Sequence, residues 1–167
     1  MSPQIGAKAP PTCYHLPMME GRLIGIARRE RKRAPMAELE RVRVEPGSGV
    51  AGDFRGRPGR RQVTVLTAPG WQAACAELRR ELPWTTRRAN LLVDGIPLAD
   101  TAGRRLVIGA LVLEITGELD PCSRMDEAEE GLCRALAPEW RGGVTTRVLT
   151  GGEIGVGDGV RLEDFHG

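Results

Sequence analysis

The sequence predicts a mainly β fold, a β-barrel decorated by two or more helices. Short runs with the alternation or the β-branched composition of strands recur along the chain. Glycine (22 residues) and proline (12 residues) are frequent, and aromatic residues make up only 4% of the sequence. Many short strands joined by tight turns are typical of a barrel, whereas a helical bundle would need long amphipathic segments.

Eight segments have strand character, and two glycine-rich segments separate some of them. Residues 41–45 alternate between polar and apolar side chains, and residues 61–67 are rich in valine and threonine. Both patterns favour a strand that is buried on at least one face. Residues 46–59 are expected to form a long loop and residues 151–158 a turn-rich linker. The predicted strands are 22–28, 41–45, 61–67, 91–96, 105–108, 111–116, 145–149 and 160–162.

Two segments show helical spacing. In residues 71–82 the apolar side chains, among them Trp71 and Leu78, recur every three or four positions. This pattern predicts a helix with one buried face. The second helix is predicted over 126–137, with Ser123 as its N-cap and acidic residues in its first turn.

The chain is predicted to be one domain, residues 21–165, preceded by an arm. Residues 1–20 contain four prolines and little periodicity, so we expect them to be flexible. The formal net charge of +2 is too balanced to indicate nucleic-acid binding. No apolar run approaches the roughly 20 residues of a membrane span, and no signal-peptide pattern opens the chain. We therefore expect a cytoplasmic protein without a membrane partner.

Cys122 is the most informative residue for function. The four cysteines, at positions 13, 75, 122 and 133, form no CxxC pair, which argues against a disulfide framework or a zinc site. Cys122 follows Pro121 and precedes a predicted helix, and Arg124 lies close in sequence. A thiol in such surroundings becomes nucleophilic or binds a metal, although the first-turn acids oppose this effect. An ordinary buried thiol is the alternative.

Arginines cluster where the predicted loops and strands meet. Guanidinium groups bind phosphate or carboxylate with two parallel hydrogen bonds, so several of them together would form an anion site. Scattered over the surface, they would only be solvated. Asp53 is expected either to position an arginine or to stabilise a turn. The group comprises Arg55, Arg57, Arg60, Arg61, Arg87, Arg88, Asn90, Arg141 and Arg147.

An ordered series of short motifs resembles the MOSC domain family, named for the C-terminal domain of molybdenum cofactor sulfurase. The series covers roughly residues 22–163, and its strength lies in the order and spacing of its parts. The parts are Gly49-Val50-x-Gly52-Asp53, Arg61-Gln62-Val63-Thr64, Asn90-Leu91-x-Val93-x-Gly95-Ile96, Leu106-x-Ile108-Gly109, Leu113-Glu114-x-Thr116-Gly117, Pro121-Cys122, Arg141-Gly142-Gly143-Val144-x-x-Arg147-Val148-Leu149 and Gly152-x-Ile154-x-x-Gly157-Asp158.

The resemblance implies a MOSC-like barrel that binds a molybdopterin-type cofactor. Cys122 matches the family's cysteine, which carries sulfur or ligates molybdenum. Phe54 stands where many relatives have a histidine, so any role of that histidine is absent here. The residues expected to bind the cofactor are Asn90, Arg147, Arg61, Arg88, Arg141 and Asp53.

The resemblance leaves two functions open. One is an enzyme that binds molybdenum cofactor and uses Cys122 as a metal ligand or as a persulfide carrier. The more specific form of this hypothesis is that the enzyme reduces N-hydroxylated compounds. The sequence has no room for a desulfurase, iron–sulfur or flavin domain, so a separate protein is expected to supply electrons or sulfur. The alternative is a non-enzymatic carrier that delivers the cofactor to another enzyme.

Overall fold

A computed structural model describes residues 20–164, which form eleven strands and three short helices. Two 3-10 turns, Trp84–Arg87 and Pro138–Trp140, add to these. The strands are β1 (Glu20–Arg28), β2 (Ala37–Leu39), β3 (Arg41–Glu45), β4 (Gly49–Val50), β5 (Val63–Thr67), β6 (Leu91–Asp94), β7 (Arg105–Ile108), β8 (Leu111–Glu118), β9 (Val144–Thr150), β10 (Gly152–Gly155) and β11 (Gly159–Glu163), and the helices are α1 (Ala68–Leu78), α2 (Arg124–Ala128) and α3 (Leu132–Leu136).

Seven strands close into a barrel, which confirms the predicted fold class. The ring runs β1, β11, β7, β8, β9, β5, β6 and back to β1. Its pairs are antiparallel except for β5 with β6, which run parallel and are connected through α1. The short strand β2 adds to the edge of β1, and β10, β3 and β4 form a second, smaller sheet.

The hydrophobic core has two parts, one on each side of the wall made by β5 and β6. Inside the barrel, residues such as Leu23, Val65 and Leu113 are fully buried. Outside it, Leu66 of β5 packs with Trp71 and the apolar faces of the helices. Because β5 is covered on both faces, its sequence is almost continuously apolar rather than alternating.

The helices differ from the prediction in length. The helix predicted over 126–137 is wrong as a single element, because Gly131 adopts a positive φ of 86° and separates α2 from α3. The first helix starts earlier than predicted and ends at Leu78, where Arg79 turns into the left-handed region. Thr67 caps its start by accepting a hydrogen bond from the backbone of Gly70 at 3.2 Å.

All eight predicted strands are present, and three short strands were missed. Strand β4 lies in the predicted loop 46–59 and β10 in the predicted linker 151–158, whereas no element is predicted for the segment of β2. β4 and β10 are glycine-rich, so their sequences lack the usual signal of β-branched residues. Their strand geometry comes instead from pairing with β3.

The predicted arm of residues 1–20 lies outside the described residues, apart from Glu20, which begins β1. Its flexibility therefore stays a prediction. Between residues 20 and 164, no helix is long and apolar enough to span a membrane.

Gln62 fixes the long loop that connects β4 to β5. Its side chain is 2% exposed. Its Nε2 donates to the carbonyls of Pro46 (2.7 Å) and Gly56 (3.1 Å), and its Oε1 accepts from the backbone of Val148 (2.9 Å). One buried amide thus joins the middle of the loop and the turn before β4 to β9.

We expect Gln62→Leu to lower the free energy of unfolding by about 2 kcal/mol, because two carbonyls and one N–H lose their partner in a buried place. Urea denaturation measures the loss, and faster amide hydrogen exchange in residues 46–61 locates it. The exposed Gln72→Leu serves as a control with a change under about 0.5 kcal/mol. Equal effects of the two substitutions would contradict this role.

Candidate functional site: Cys122 and the surrounding arginines

Cys122 is exposed, so it is not a packing residue of the core. It lies in the segment that leaves β8 and enters α2. Its carbonyl accepts a hydrogen bond from the backbone of Met125 at 2.9 Å, which forms the first turn of that helix. Ser123 precedes α2 as predicted, but its side chain makes no capping hydrogen bond.

Arg87 holds the chain on both sides of Cys122. Its side chain is 6% exposed. Nη2 donates to the carbonyl of Leu119 at 2.8 Å, and Nη1 lies 3.6 Å from the sulfur of Met125. Nε donates to the carbonyl of Gly142 at 2.9 Å. The backbone before and after Cys122 is therefore fixed while its thiol stays accessible.

The electrostatic surroundings connect Arg87 with Cys122. Burial lowers the pKa of the Arg87 guanidinium, and the charge of the Cys122 side chain is the strongest opposing influence, raising it. Arg61 lowers this pKa further, and Cys133 and Asp120 raise it. Arg87 thus lies within electrostatic range of both thiols and of Arg61.

A second arginine, Arg29 at the end of β1, lies among like charges. Burial lowers the pKa of its guanidinium, and the neighbouring cations Arg88, Arg55 and Arg124 lower it further. Asp53 acts in the opposite direction. Like charges held together in this way repel one another, so a bound anion would stabilise the group.

No carboxylate forms a salt bridge with the arginines of this region in residues 20–164. Asp53 is nearby, but its oxygens accept from the backbone N–H groups of Arg29 (3.1 Å) and Arg55 (3.3 Å). Elsewhere on the surface seven arginines do pair with carboxylates. These are Arg41, Arg43, Arg80, Arg104, Arg141, Arg147 and Arg161.

We call these arginines without carboxylate partners the arginine basin. Arg61 and Arg87 lie on the side of Cys122, whereas Arg55, Arg88 and Arg124 neighbour Arg29, and Arg124 follows Cys122 by two residues. The basin thus includes two predicted residues, Arg61 and Arg88, one on each side. Arg88 also donates from Nη2 to the carbonyl of Ala34 at 2.5 Å, which ties it to the loop after β1. The members of the basin are Arg29, Arg55, Arg61, Arg87, Arg88 and Arg124.

Asn90 holds two strands together. Its side-chain oxygen accepts from the backbone N–H of Thr64 at 3.1 Å and from its hydroxyl at 3.3 Å. Its amide nitrogen donates to the carbonyl of Ala27 at 3.2 Å. The side chain is 6% exposed and bridges β5 to β1, while the predicted role in cofactor binding stays a prediction.

Arg147 and Arg141 both have carboxylate partners. Arg147 lies on β9 opposite Glu114 of β8 and is bonded to it at 2.6 Å. Arg141 donates to Glu77 of α1 at 3.1 Å and to the carbonyl of Ala135 in α3 at 3.0 Å. Both therefore have carboxylate partners outside the basin, and their predicted role in cofactor binding stays a prediction.

Four members of the basin are not among the residues that the sequence predicts to bind the cofactor. Arg55 and Arg87 belong to the arginine group described above, and nothing in the sequence separates Arg87 from its neighbour Arg88. Arg124 is notable only for its closeness to Cys122, and Arg29 carries no signal in the sequence.

Two carboxyl groups lie just before Cys122. Burial raises the pKa of Glu118 above its usual value of 4.5, and Asp120 raises it further by its charge and by a hydrogen bond between the two side chains. Asp100 adds in the same direction, and Arg87 opposes it. Cys75 and Cys133 are partly buried and pack against the helical part of the core. No group of three His, Cys, Asp or Glu side chains within residues 20–164 is arranged to hold a metal ion.

The protein is a closed seven-stranded β-barrel in which the exposed thiol of Cys122 lies close to the buried Arg87. The sequence profile of the MOSC domain matches residues 32–161. The chain therefore belongs to the MOSC domain family, which is associated with the binding of molybdenum cofactor. This confirms the resemblance found in the sequence.

Solved structures share the fold. The YuaD protein from Bacillus subtilis superimposes with a TM-score of 0.78 at 17% identity, over 89% of this chain and 98% of that one. YiiM from Geobacillus stearothermophilus gives 0.69 at 16% identity, over 86% and 75%. YiiM from Escherichia coli gives 0.66 at 12% identity, over 86% and 70%. A search of curated proteins found no match.

We expect Arg87→Leu to lower the free energy of unfolding by about 3 kcal/mol, because the carbonyls of Leu119 and Gly142 lose a charged donor in a buried place. Arg134→Leu, at an exposed arginine of α3, should change it by less than about 0.5 kcal/mol. Urea denaturation of both variants measures the difference. If Arg87→Leu lowers the free energy of unfolding no more than the control does, the hydrogen bonds of Arg87 to Leu119 and Gly142 do not stabilise the fold.

We expect Glu118→Gln to stabilise the protein at neutral pH. The raised pKa means that the folded state favours neutral Glu118, so the stability from this group is complete below the unfolded value of 4.5 and is lost as the pH rises through the folded value. At pH 7 glutamine should therefore raise the free energy of unfolding by less than about 1 kcal/mol, because Glu118 is only partly buried. Near pH 3 it should cause no gain. Thermal unfolding across this pH range measures it, with Glu81→Gln as the control for losing one exposed charge. A gain that is the same at both pH values would contradict the assignment.

Proposed function

We propose that this protein binds molybdenum cofactor in the arginine basin and that Cys122 acts on its metal centre or carries sulfur to it. The observation that supports this most directly is an exposed thiol whose backbone is clamped on both sides by buried Arg87. A fixed backbone with a free thiol is what a preorganised ligand or nucleophile needs.

The residues of the basin suit the chemistry of the cofactor. Molybdopterin has a phosphate, which unpaired guanidinium groups such as Arg61 and Arg124 can bind by charge-assisted hydrogen bonds. The dithiolene of the cofactor supplies the other sulfur ligands, so one protein thiolate is sufficient, and thiolate is a soft ligand suited to molybdenum. Asn90 would contribute from its position between β1 and β5.

The proposed activity is reduction of N-hydroxylated compounds. The bound cofactor would supply two-electron redox chemistry. Two electrons from a separate donor protein and two protons convert the N-hydroxyl compound to the amine and one water. The exposure of Cys122 leaves room for a substrate at the thiol, and the positive basin favours substrates or cofactor groups that are anionic.

Sulfur carriage is the second role proposed for Cys122. Its thiolate would attack the terminal sulfur of a donor persulfide, so that Cys122 becomes the persulfide and the donor leaves as a thiolate. The exposure of the thiol supports this role, because a donor protein must reach it. A non-enzymatic carrier would use the same basin but release the cofactor intact to another protein.

Cys122→Ser tests the proposal. The protein is purified without oxygen from a host that makes the cofactor, and its molybdenum and pterin are measured together with reduction of an N-hydroxylated base in the presence of an electron donor. We expect stoichiometric metal in the wild type and at least about a tenfold loss of turnover in Cys122→Ser, because serine lacks the soft sulfur. Cys75→Ser is the matched control and should keep both.

The outcomes separate the roles. Loss of both molybdenum and turnover assigns Cys122 as a ligand, whereas retained pterin with lost sulfur transfer assigns it as a carrier of sulfur. If the protein binds cofactor without turnover and passes the cofactor to an apo-enzyme, the result would favour a non-enzymatic carrier. Absence of pterin in both wild type and variant would refute cofactor binding.

A further inference from the structure

The loop between β4 and β5 forms a cleft next to the arginine basin. The cleft has a volume of about 480 Å³ and is lined by the segment from Phe54 to Arg61. All seven lining residues are exposed, so the cleft is shallow and open to solvent. Arg55 and Arg61 belong to both the cleft and the basin, which places the cleft beside Arg29 and Arg87.

The lining is strongly cationic. Four of its seven residues are arginines and none is acidic. Within residues 20–164 none of the four forms a salt bridge, although seven arginines elsewhere do. Arg60 donates to the carbonyl of Thr116 at 3.2 Å, which satisfies one donor without cancelling the charge. The arginines are Arg55, Arg57, Arg60 and Arg61.

An aromatic ring lies at the end of this cleft. Phe54 is 44% exposed, although large apolar side chains are seldom exposed among the described residues. The guanidinium of Arg29 lies 5.9 Å from its ring centre, and the backbone N–H of Phe54 donates to the carbonyl of Arg29 at 2.8 Å. An exposed ring fixed in this way offers a surface on which a flat aromatic group can stack.

The loop is already held in shape. Gln62 fixes its middle at Gly56, and Thr116 accepts from Arg60 and donates to the carbonyl of Arg60. At Gly56 an added Cβ would lie 1.7 Å from the carbonyl oxygen of Ser48, so the backbone segments at residues 48 and 56 approach closely. A preorganised cleft loses little entropy when a ligand binds.

The number of cations exceeds what one phosphate needs. The basin and cleft together contain eight arginines, against four carboxyl groups, those of Asp53, Asp100, Glu118 and Asp120. A phosphate monoester carries about −1.5 to −2 charges at neutral pH. One molybdopterin phosphate therefore leaves a surplus of about the charge of a second phosphate.

We propose that the cleft binds a nucleoside phosphate, with its phosphate on Arg57 and the neighbouring guanidinium groups and its base against Phe54. This deepens the proposed function, on which it rests for the reaction at Cys122, by naming the substrate class as phosphorylated bases. The same chemistry is offered by a free nucleotide and by the nucleotide end of a dinucleotide form of the cofactor. The free nucleotide is the ligand proposed here.

Calorimetric titration of the full chain with AMP and CMP tests the binding, with adenosine, cytidine and inorganic phosphate as comparison ligands. We expect the monophosphates to bind at least about tenfold more tightly than the nucleosides, since charge-assisted hydrogen bonds to phosphate are lost. Arg57→Gln should weaken AMP binding about tenfold, and Phe54→Leu about fivefold or more. Arg134→Gln, at an exposed arginine of α3, should leave it unchanged.

Several outcomes would overturn the proposal. Inorganic phosphate that binds as tightly as AMP, with no effect of Phe54→Leu, would indicate a simple anion site. Tighter binding of a single-stranded oligonucleotide with a steep salt dependence would indicate a nucleic-acid surface. AMP binding that is equal in Arg57→Gln and Arg134→Gln would place the ligand elsewhere.

The pterin content of the same variants separates this proposal from the proposed function. We expect Arg57→Gln and Phe54→Leu to keep the pterin of the wild type. Loss of pterin in these variants, or release of a nucleotide from the pterin on acid hydrolysis, would assign the cleft to the cofactor. Nucleotide binding by a chain that holds no pterin would support the cleft while refuting the cofactor site.

Discussion

The buried guanidinium of Arg87 is the interaction on which the site depends. Removing a charge from water costs several kcal/mol unless its donors are satisfied. Here the partners are the carbonyls of Leu119 and Gly142 and the sulfur of Met125, none of which is charged. The donors are therefore satisfied while the positive charge is kept. A carboxylate partner would have stabilised the same fold, but it would have neutralised the positive charge that can attract an anion.

The barrel brings distant parts of the chain to this guanidinium. Arg87 ends the turn before β6, Leu119 follows β8, and Gly142 precedes β9. Gly143, next to it, has a φ of 99°, and an added Cβ would lie 2.3 Å from the carbonyl of Val65. The close approach of β9 to β5 thus requires glycine at this place. The pair Gly142-Gly143 therefore serves the packing of the barrel and presents the carbonyl of Gly142 to Arg87.

The sequence predicted the barrel because its longer strands carry local signals. Arg41–Glu45 alternates cleanly, and Arg105–Ile108 has both predicted boundaries. Strands such as Gly49–Val50 carry no such signal, since their geometry depends on a partner from another part of the chain. The predicted helix 126–137 shows the same limit of local signals. Its apolar spacing continues across Gly131, but the backbone of Gly131 is not helical.

The site was predictable only in part, for a related reason. Cys122 was found because its flanking residues are unusual, and the family motifs pointed to it independently. Arg87 and Arg88 are adjacent and chemically identical, yet one is buried and the other half-buried. Only tertiary contacts distinguish them. Arg147 lies within a matched motif but faces Glu114 across two paired strands, a contact that spacing along the chain does not reveal.

The charge of the basin also bears on the choice between enzyme and carrier. Electrostatic attraction by several unpaired arginines speeds the capture of an anionic ligand, and charge-assisted hydrogen bonds slow its release. A carrier has to release its cargo to the next protein, whereas an enzyme keeps its cofactor through many turnovers. A basin of arginines without carboxylate partners, whose buried member Arg87 lies close to the thiol, therefore fits retention better than delivery. On this argument the reductase is the stronger of the two proposals.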